Sequence, residues 1–172
     1  HLYKLRDAVG PDFDLIQEAN TRWTVEQCLE ICPVLEELKF LWFEEPTKRV
    51  IADYLKIKQA LPTVKISGGE GRNNRYQLAE WMDSGAYDII QSGCDDAGMT
   101  ENWYIARTAH IRGKLFTGHN WQDGLITIAN AHLLAAVPNR FLLETNMTAN
   151  PLKEGLFKEK VVVRDGYLDV PE

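Results

Sequence analysis

The chain has 172 residues, 45% apolar and 26% charged, which is ordinary globular usage and excludes disorder, collagen-like repeats and low complexity. A net charge of −6 excludes the basic stripe that a nucleic-acid partner needs, and no apolar run approaches the 18 residues of a membrane span. Three cysteines fit a reducing, cytoplasmic setting better than a disulfide framework.

In chain order, Leu2–Val9 followed by Gly10-Pro11 reads as the end of a helix, closed by glycine and then proline. Because the chain opens inside this pattern at His1, upstream sequence is expected, or else an added residue at His1. The first short apolar run, Asp14–Gln17, predicts a strand. Thr24, with Gln27 three residues on, predicts a capping box for a helix carrying Val25, Cys28, Leu29, Cys32 and Leu35 on one face. Cys28 and Cys32 are read as packing on that face and not as a metal pair. The alternation then repeats. Strand runs at Phe40–Phe43, Val64–Ser67, Tyr87–Ile90, Lys114–Thr117 and Arg140–Leu143 are separated by helical patterns: Ile51–Leu61, Leu78–Met82, Ile105–Ala109 and Ile126–Val137. Strand, helix and strand with short connections imply βα units on a parallel sheet. Near the end, Asp165-Gly166 between alternating apolar runs predicts a β-hairpin.

Each strand run is followed by one ionisable residue: Glu18, Glu44, Glu70, Asp95, His119 and Glu144, spaced by 26, 26, 25, 24 and 25 residues. In a β/α barrel such positions converge at the carboxyl ends of the strands, where active sites form. Three carboxylates there, Glu18, Glu44 and Glu70, would repel one another unless a cation lay between them. Mg²⁺, which takes oxygen ligands and leaves positions open for substrate, is the expected ion. His119, freed by Gly118, suits acid–base work near neutral pH. His1, His110 and His132 are expected to be structural.

The segments Ala8–Leu15, Ala19-Asn20 with Trp23, Trp42–Pro46, Gly69-Glu70, Asp88–Gln91, Gly98–Glu101, Gly118–Trp121 and Ala131–Ala136 leading to Leu143-Glu144 together resemble the C-terminal barrel domain of the enolase superfamily, in its mandelate racemase and muconate lactonizing enzyme group. The likeness runs in order over nearly the whole chain. It implies a partial (β/α)8 TIM-type barrel of about six βα units, the third to eighth strands, plus a C-terminal β-hairpin. Residues 1–149 would form the partial barrel and 150–172 a C-terminal extension; the N-terminal cap domain and the first two barrel strands would be absent. It also implies Mg²⁺ on Glu18, Glu44 and Glu70, a base at His119, and an assisting carboxyl at Glu144. Asn20 and Asn120 would be the polar contacts near metal and substrate.

The implied activity is abstraction of the proton α to a carboxylate, by an acid-sugar dehydratase or a racemase/epimerase acting on a small-molecule carboxylate. The alternative is a non-catalytic fragment or remnant of such an enzyme. In the family the first ligand is usually Asp, where this chain has Glu18. The aspartate that orients the histidine would fall at Gly93, in a loop one residue short, so Asp95 or Asp96 is expected to serve instead. Lys4, in the opening helix, does not replace the family's lysine base. A partial barrel leaves open sheet edges, so a homo-oligomer covering them is expected.

Overall fold

The computed structural model describes residues 1–153, 155–159 and 161–170. Six parallel strands alternate with six helices, and an antiparallel hairpin follows: a partial (β/α)8-type barrel with a C-terminal hairpin. The strands are β1 (Ile16–Glu18), β2 (Trp42–Glu44), β3 (Lys65–Gly68), β4 (Ile89–Gln91), β5 (Leu115–Gly118) and β6 (Arg140–Leu143), in that order in one sheet. The helices are α1 (Leu2–Val9), α2 (Val25–Glu37), α3 (Ile51–Gln59), α4 (Arg75–Ser84), α5 (Cys94–Ile111) and α6 (Gly124–Ala136). The chain divides into two compact units, His1–Gly68 with Trp81–Ile89, and Gly69–Glu80 with Ile90–Glu172.

In the first unit, the helix starts and stops follow local chemistry. Gly10 closes α1 with a positive φ of 86°, and its N–H donates to the Arg6 carbonyl. Thr24 and Gln27 form the reciprocal capping box that opens α2. β1, β2 and β3 pair in parallel, with Ile16 opposite Trp42 and Trp42 opposite Lys65. Phe43, Ile66, Leu35, Ile57, Tyr54 and Tyr87 are fully buried around them. Buried parallel strands read as continuous apolar runs for this reason. The Trp81 and Tyr87 rings stack at 4.7 Å, and Tyr54 meets them edge-on at 5.0 and 5.5 Å. Each such pair adds about 0.5–1.5 kcal/mol beyond its area burial. Cys28 and Cys32 are wholly buried in α2, with Sγ donating to the Pro46 and Cys28 carbonyls, so they pack as expected.

In the second unit, β5 and β6 pair in parallel with a register shift between Phe116 and Gly118. Asp123 caps α6 by accepting from the Leu125 and Ile126 amides. α5 is broken at Gly98, whose φ of 73° and ψ of 162° are not helical. Arg75 grips Glu101 through two side-chain bonds of 2.8 and 2.5 Å and lies 3.8 Å from the centroid of the Tyr104 ring. The hairpin forms from β7 (Val163–Arg164) and β8 (Tyr167–Leu168), with Asp165 and Gly166 both at positive φ, as an Asp-Gly turn requires.

The β1, β2 and β4 ladders begin two residues later than the apolar runs suggest. Phe40 and Tyr87 are buried before their ladders begin, so the run marks where the chain enters the core and not where its ladder begins. Glu18 and Glu44 therefore end their strands instead of following them, and Asp95 lies in the first turn of α5. Among the described residues, no helix is long and apolar enough to cross a membrane, and all three cysteines are free thiols.

Candidate active site at the strand ends

In the first unit, Glu18 and Glu44 lie directly opposite each other at the ends of β1 and β2. Neighbouring strands run about 4.8 Å apart, so two like charges leave their strands side by side. Each carboxylate has a local donor. Glu18 Oε1 accepts the Asn20 N–H, and Glu44 Oε2 accepts Trp42 Nε1 at 3.0 Å. Trp42 and Glu44 share a face because side chains alternate along a strand. Asn20 and Thr21 both sit in the left-handed region, at φ 48° and 60°, and the Thr21 N–H donates to the Glu45 carbonyl at 2.6 Å. The loop after Glu18 is thus strained, and it is Asn20's backbone that reaches the carboxylate. Glu45, beside Glu44, plays a different part. It is 1% exposed and accepts from Arg49 Nε at 3.0 Å and the Tyr54 hydroxyl at 2.8 Å. Burial, with the Glu45 charge beside it, pushes the Tyr54 phenol well above its ordinary range.

In the second unit, Glu70 Oε2 lies 3.0 Å from His119 Nε2. Burial by itself would lower the imidazole's pKa. The bond to Glu70 and the charges of Glu144, Glu70 and Asp95 outweigh it and raise the value to about 9. His119 Nδ1 is buried and has no hydrogen-bond partner among the described residues. Glu144 Oε2 accepts Gln91 Nε2 at 3.0 Å, and Gln91 is 2% exposed at the end of β4.

Asp95 and Asp96 stand in the first turn of α5, and Asp96 Oδ2 accepts the Gly71 N–H at 2.8 Å. One ligand atom from each of Asp95, Asp96 and His119 falls within 4.8 Å of the others, a carboxylate–imidazole group that could hold a metal ion. Burial foremost, then the Asp96 charge, raises the Asp95 carboxyl. Gly93 has no room for a side chain: a Cβ there would collide with Asp95 Oδ1 and the His119 carbonyl. The Asp95 carboxylate therefore folds back over the position at which the resemblance leads one to expect an aspartate.

Asn120 is wholly buried, donating to Thr127 Oγ1 at 2.6 Å and accepting the Gln122 N–H at 3.1 Å, so its side chain is engaged within its own loop. Gln91 and Asn130 were not singled out from the sequence. The one available signal for Asn130 was a lone amide inside the apolar stretch Ile126–Ala136.

The whole chain, residues 1–172, matches the family described as enolase C-terminal domain-like. It is 32% identical to arabinonate dehydratase of Saccharolobus solfataricus over 99% of the chain and 46% of that protein. Among solved structures it is similar to the 3,6-anhydro-D-galactonate cycloisomerase from Zobellia galactanivorans, with a TM-score of 0.91 and 28% identity, over 99% of this chain and 48% of that one. It is also similar to a mandelate racemase/muconate lactonizing enzyme-like protein from Rubrobacter xylanophilus, with a TM-score of 0.90 and 26% identity, over 99% and 44%. The chain spans about half the length of these relatives. With matching extending from end to end, and an ionisable residue at or shortly after the end of each of six successive strands, the chain belongs to the enolase superfamily, in its mandelate racemase and muconate lactonizing enzyme group.

Proposed function

We propose that this chain carries the strand-end chemistry of a Mg²⁺-dependent enzyme that removes the proton α to the carboxylate of a small sugar acid, followed by dehydration or by racemisation or epimerisation. The observation that carries this reading is the partly buried His119 imidazole bonded to Glu70, with the Glu144 and Asp95 charges around it. Two relatives with dehydratase and cycloisomerase names support the substrate class. The donor chemistry fits Mg²⁺: Glu18, Glu44 and Glu70 offer only hard carboxylate oxygens, and Glu18 and Glu44 end adjacent strands in register. These three would hold the ion. When bound, it would supply Lewis-acid stabilisation to the negative charge that develops on the substrate carboxylate.

The chain's own residues do the rest. At neutral pH and without a cation, His119 is protonated and suited to donate: to a departing β-hydroxyl, which leaves as water, or back to the α-carbon. To act as the base, the imidazole must first be neutral, which engagement of the Glu70 charge by a cation would favour. Glu144, held by Gln91, assists from the end of β6. Asp95 is proposed as the carboxylate that orients His119, and Asn20 as the residue that orders the loop at Glu18. Asn120 as a substrate contact would require its loop bonds to open. The three free thiols fit a cytoplasmic setting, and a second copy of the chain would cover open sheet edges.

Calorimetry with Mg²⁺, followed by mass-spectrometric detection of solvent deuterium exchanged into a panel of sugar acids, tests the reading. Binding and exchange are both expected. The second reading, a non-catalytic piece of such an enzyme, is favoured by the unpartnered Nδ1 of His119. Binding without exchange would support it. Neither signal would remove the metal assignment altogether.

A further inference from the structure

The segment carrying His119 and the segment opening α5 are tied together by one buried side chain that the chemistry above does not use. Asn130, on α6, is wholly buried. Its Nδ2 donates to the His119 carbonyl at 2.8 Å, and its Oδ1 accepts the Cys94 N–H at 3.1 Å. One partner is an acceptor and the other a donor, so the amide can sit only one way round. Neither a carboxylate nor an apolar side chain of the same size can serve both. The approach depends on a gap in β5. A Cβ on Gly118 would lie 2.7 Å from Asn130 Cγ and 2.8 Å from its Cβ, and these atoms belong to a packed helix, not to a flexible tip. Cys94 starts the turn that presents Asp95 and Asp96. A second buried amide also bonds that turn: Asn102 Nδ2 donates to the Gly93 carbonyl at 2.6 Å and the Gly98 carbonyl at 3.2 Å.

We propose that Asn130 is a positioning residue that sets the separation between the His119 imidazole and the Asp95 and Asp96 carboxylates, clamping the His119 backbone to the first amide of α5 through the gap left by Gly118. The clamp accounts for three ligand atoms from two separate segments meeting within 4.8 Å. An effect on turnover rests on the proposed function; the clamp itself does not.

The test uses the full 172-residue chain, ¹⁵N-labelled, with NMR as the readout. In the unaltered chain the Cys94 N–H should exchange at least about tenfold more slowly than an unbonded loop amide, the effect of one buried hydrogen bond. Asn130→Asp keeps the acceptor for Cys94 but turns an oxygen toward the His119 carbonyl. It should move the His119 ring resonances, leave those of His110 and His132 in place, and keep the Cys94 N–H slow. Gly118→Ala pushes Asn130 away from both partners. It should speed Cys94 exchange about tenfold and move the His119 ring resonances as well. A Cys94 N–H that exchanges freely in the unaltered chain overturns the proposal, whether or not either variant folds. So do His119 resonances left unmoved in a folded variant whose melting temperature has dropped, since Asn130 would then only fill space. A slow Cys94 N–H and shifted His119 signals, in a chain that exchanges no deuterium into any sugar acid, leave the clamp standing and count against the proposed function alone.

Discussion

At the residue scale, the loop after Glu18 holds backbone strain next to a proposed ligand. Thr21 is β-branched and left-handed, a conformation that costs an L-residue about 1–2 kcal/mol. Thr21→Gly should raise stability by about 1 kcal/mol, read as a melting temperature about 2–4 °C higher. If the strain orders the loop for metal, the same variant should bind Mg²⁺ more weakly in calorimetry. Glu45 shows where single-sequence reading stops. Its neighbour Glu44 and Pro46 flagged the segment as functional, yet Glu45 faces Arg49 and Tyr54 in the interior. Removing one partner of such a group strands the others. Glu45→Leu should therefore destabilise the chain by about 2–4 kcal/mol in urea unfolding, with little change in the slope. Adjacent glutamates with opposite destinations cannot be told apart by type or spacing, only by which side of the pleat each leaves.

At the scale of elements, the six strands and the helices between them were legible because two periodicities alternate cleanly. Short apolar runs give the strands, and three-to-four spacing gives the helices between them. Caps and turns were equally legible where their chemistry is local: the Thr24–Gln27 box and the Asp165-Gly166 turn need no distant partner. The tertiary partners were not. Gln91 on Glu144 and Asn130 on His119 join residues 53 and 11 positions apart, and nothing in either segment announces the other. Close packing sets a similar limit at the end of β3. A Cβ on Gly68 would lie 2.7 Å from Tyr87 Cζ and 2.8 Å from Glu45 Oε1. Tyr87 is packed in the ring cluster and Glu45 is held by Arg49 and Tyr54, so neither can swing away easily, and Gly68→Ala should cost about 1–3 kcal/mol in denaturant unfolding.

At the scale of the whole molecule, stability should depend on acid and on added metal, and both dependences can be measured. Glu36 joins α2 to the start of β3, accepting the Thr63 and Val64 amides at 2.9 and 2.8 Å and the Thr63 hydroxyl at 2.5 Å. Burial would raise its carboxyl, but the Thr63 hydroxyl, then the Val64 and Thr63 amides, outweigh burial and lower it. A lowered folded-state value means the stabilisation is present above the ordinary glutamate range and is lost as pH falls through the folded value. Glu36→Gln should therefore flatten the acid limb of stability against pH, measured by urea midpoints below pH 5, where unfolded glutamates begin to protonate. If Mg²⁺ binds only the folded chain, an excess of about 100 times its dissociation constant should add about 2.7 kcal/mol, and EDTA should reverse the gain.

The three buried or half-buried sulfhydryls have a practical corollary. Burial pushes Cys28 to about 12 and Cys32 and Cys94 to about 11, so the native chain carries almost no thiolate under ordinary laboratory conditions. Maleimide should label the folded protein only after unfolding. A single cysteine introduced on the exposed hairpin would then take up a fluorophore cleanly, with the parent chain as a silent background.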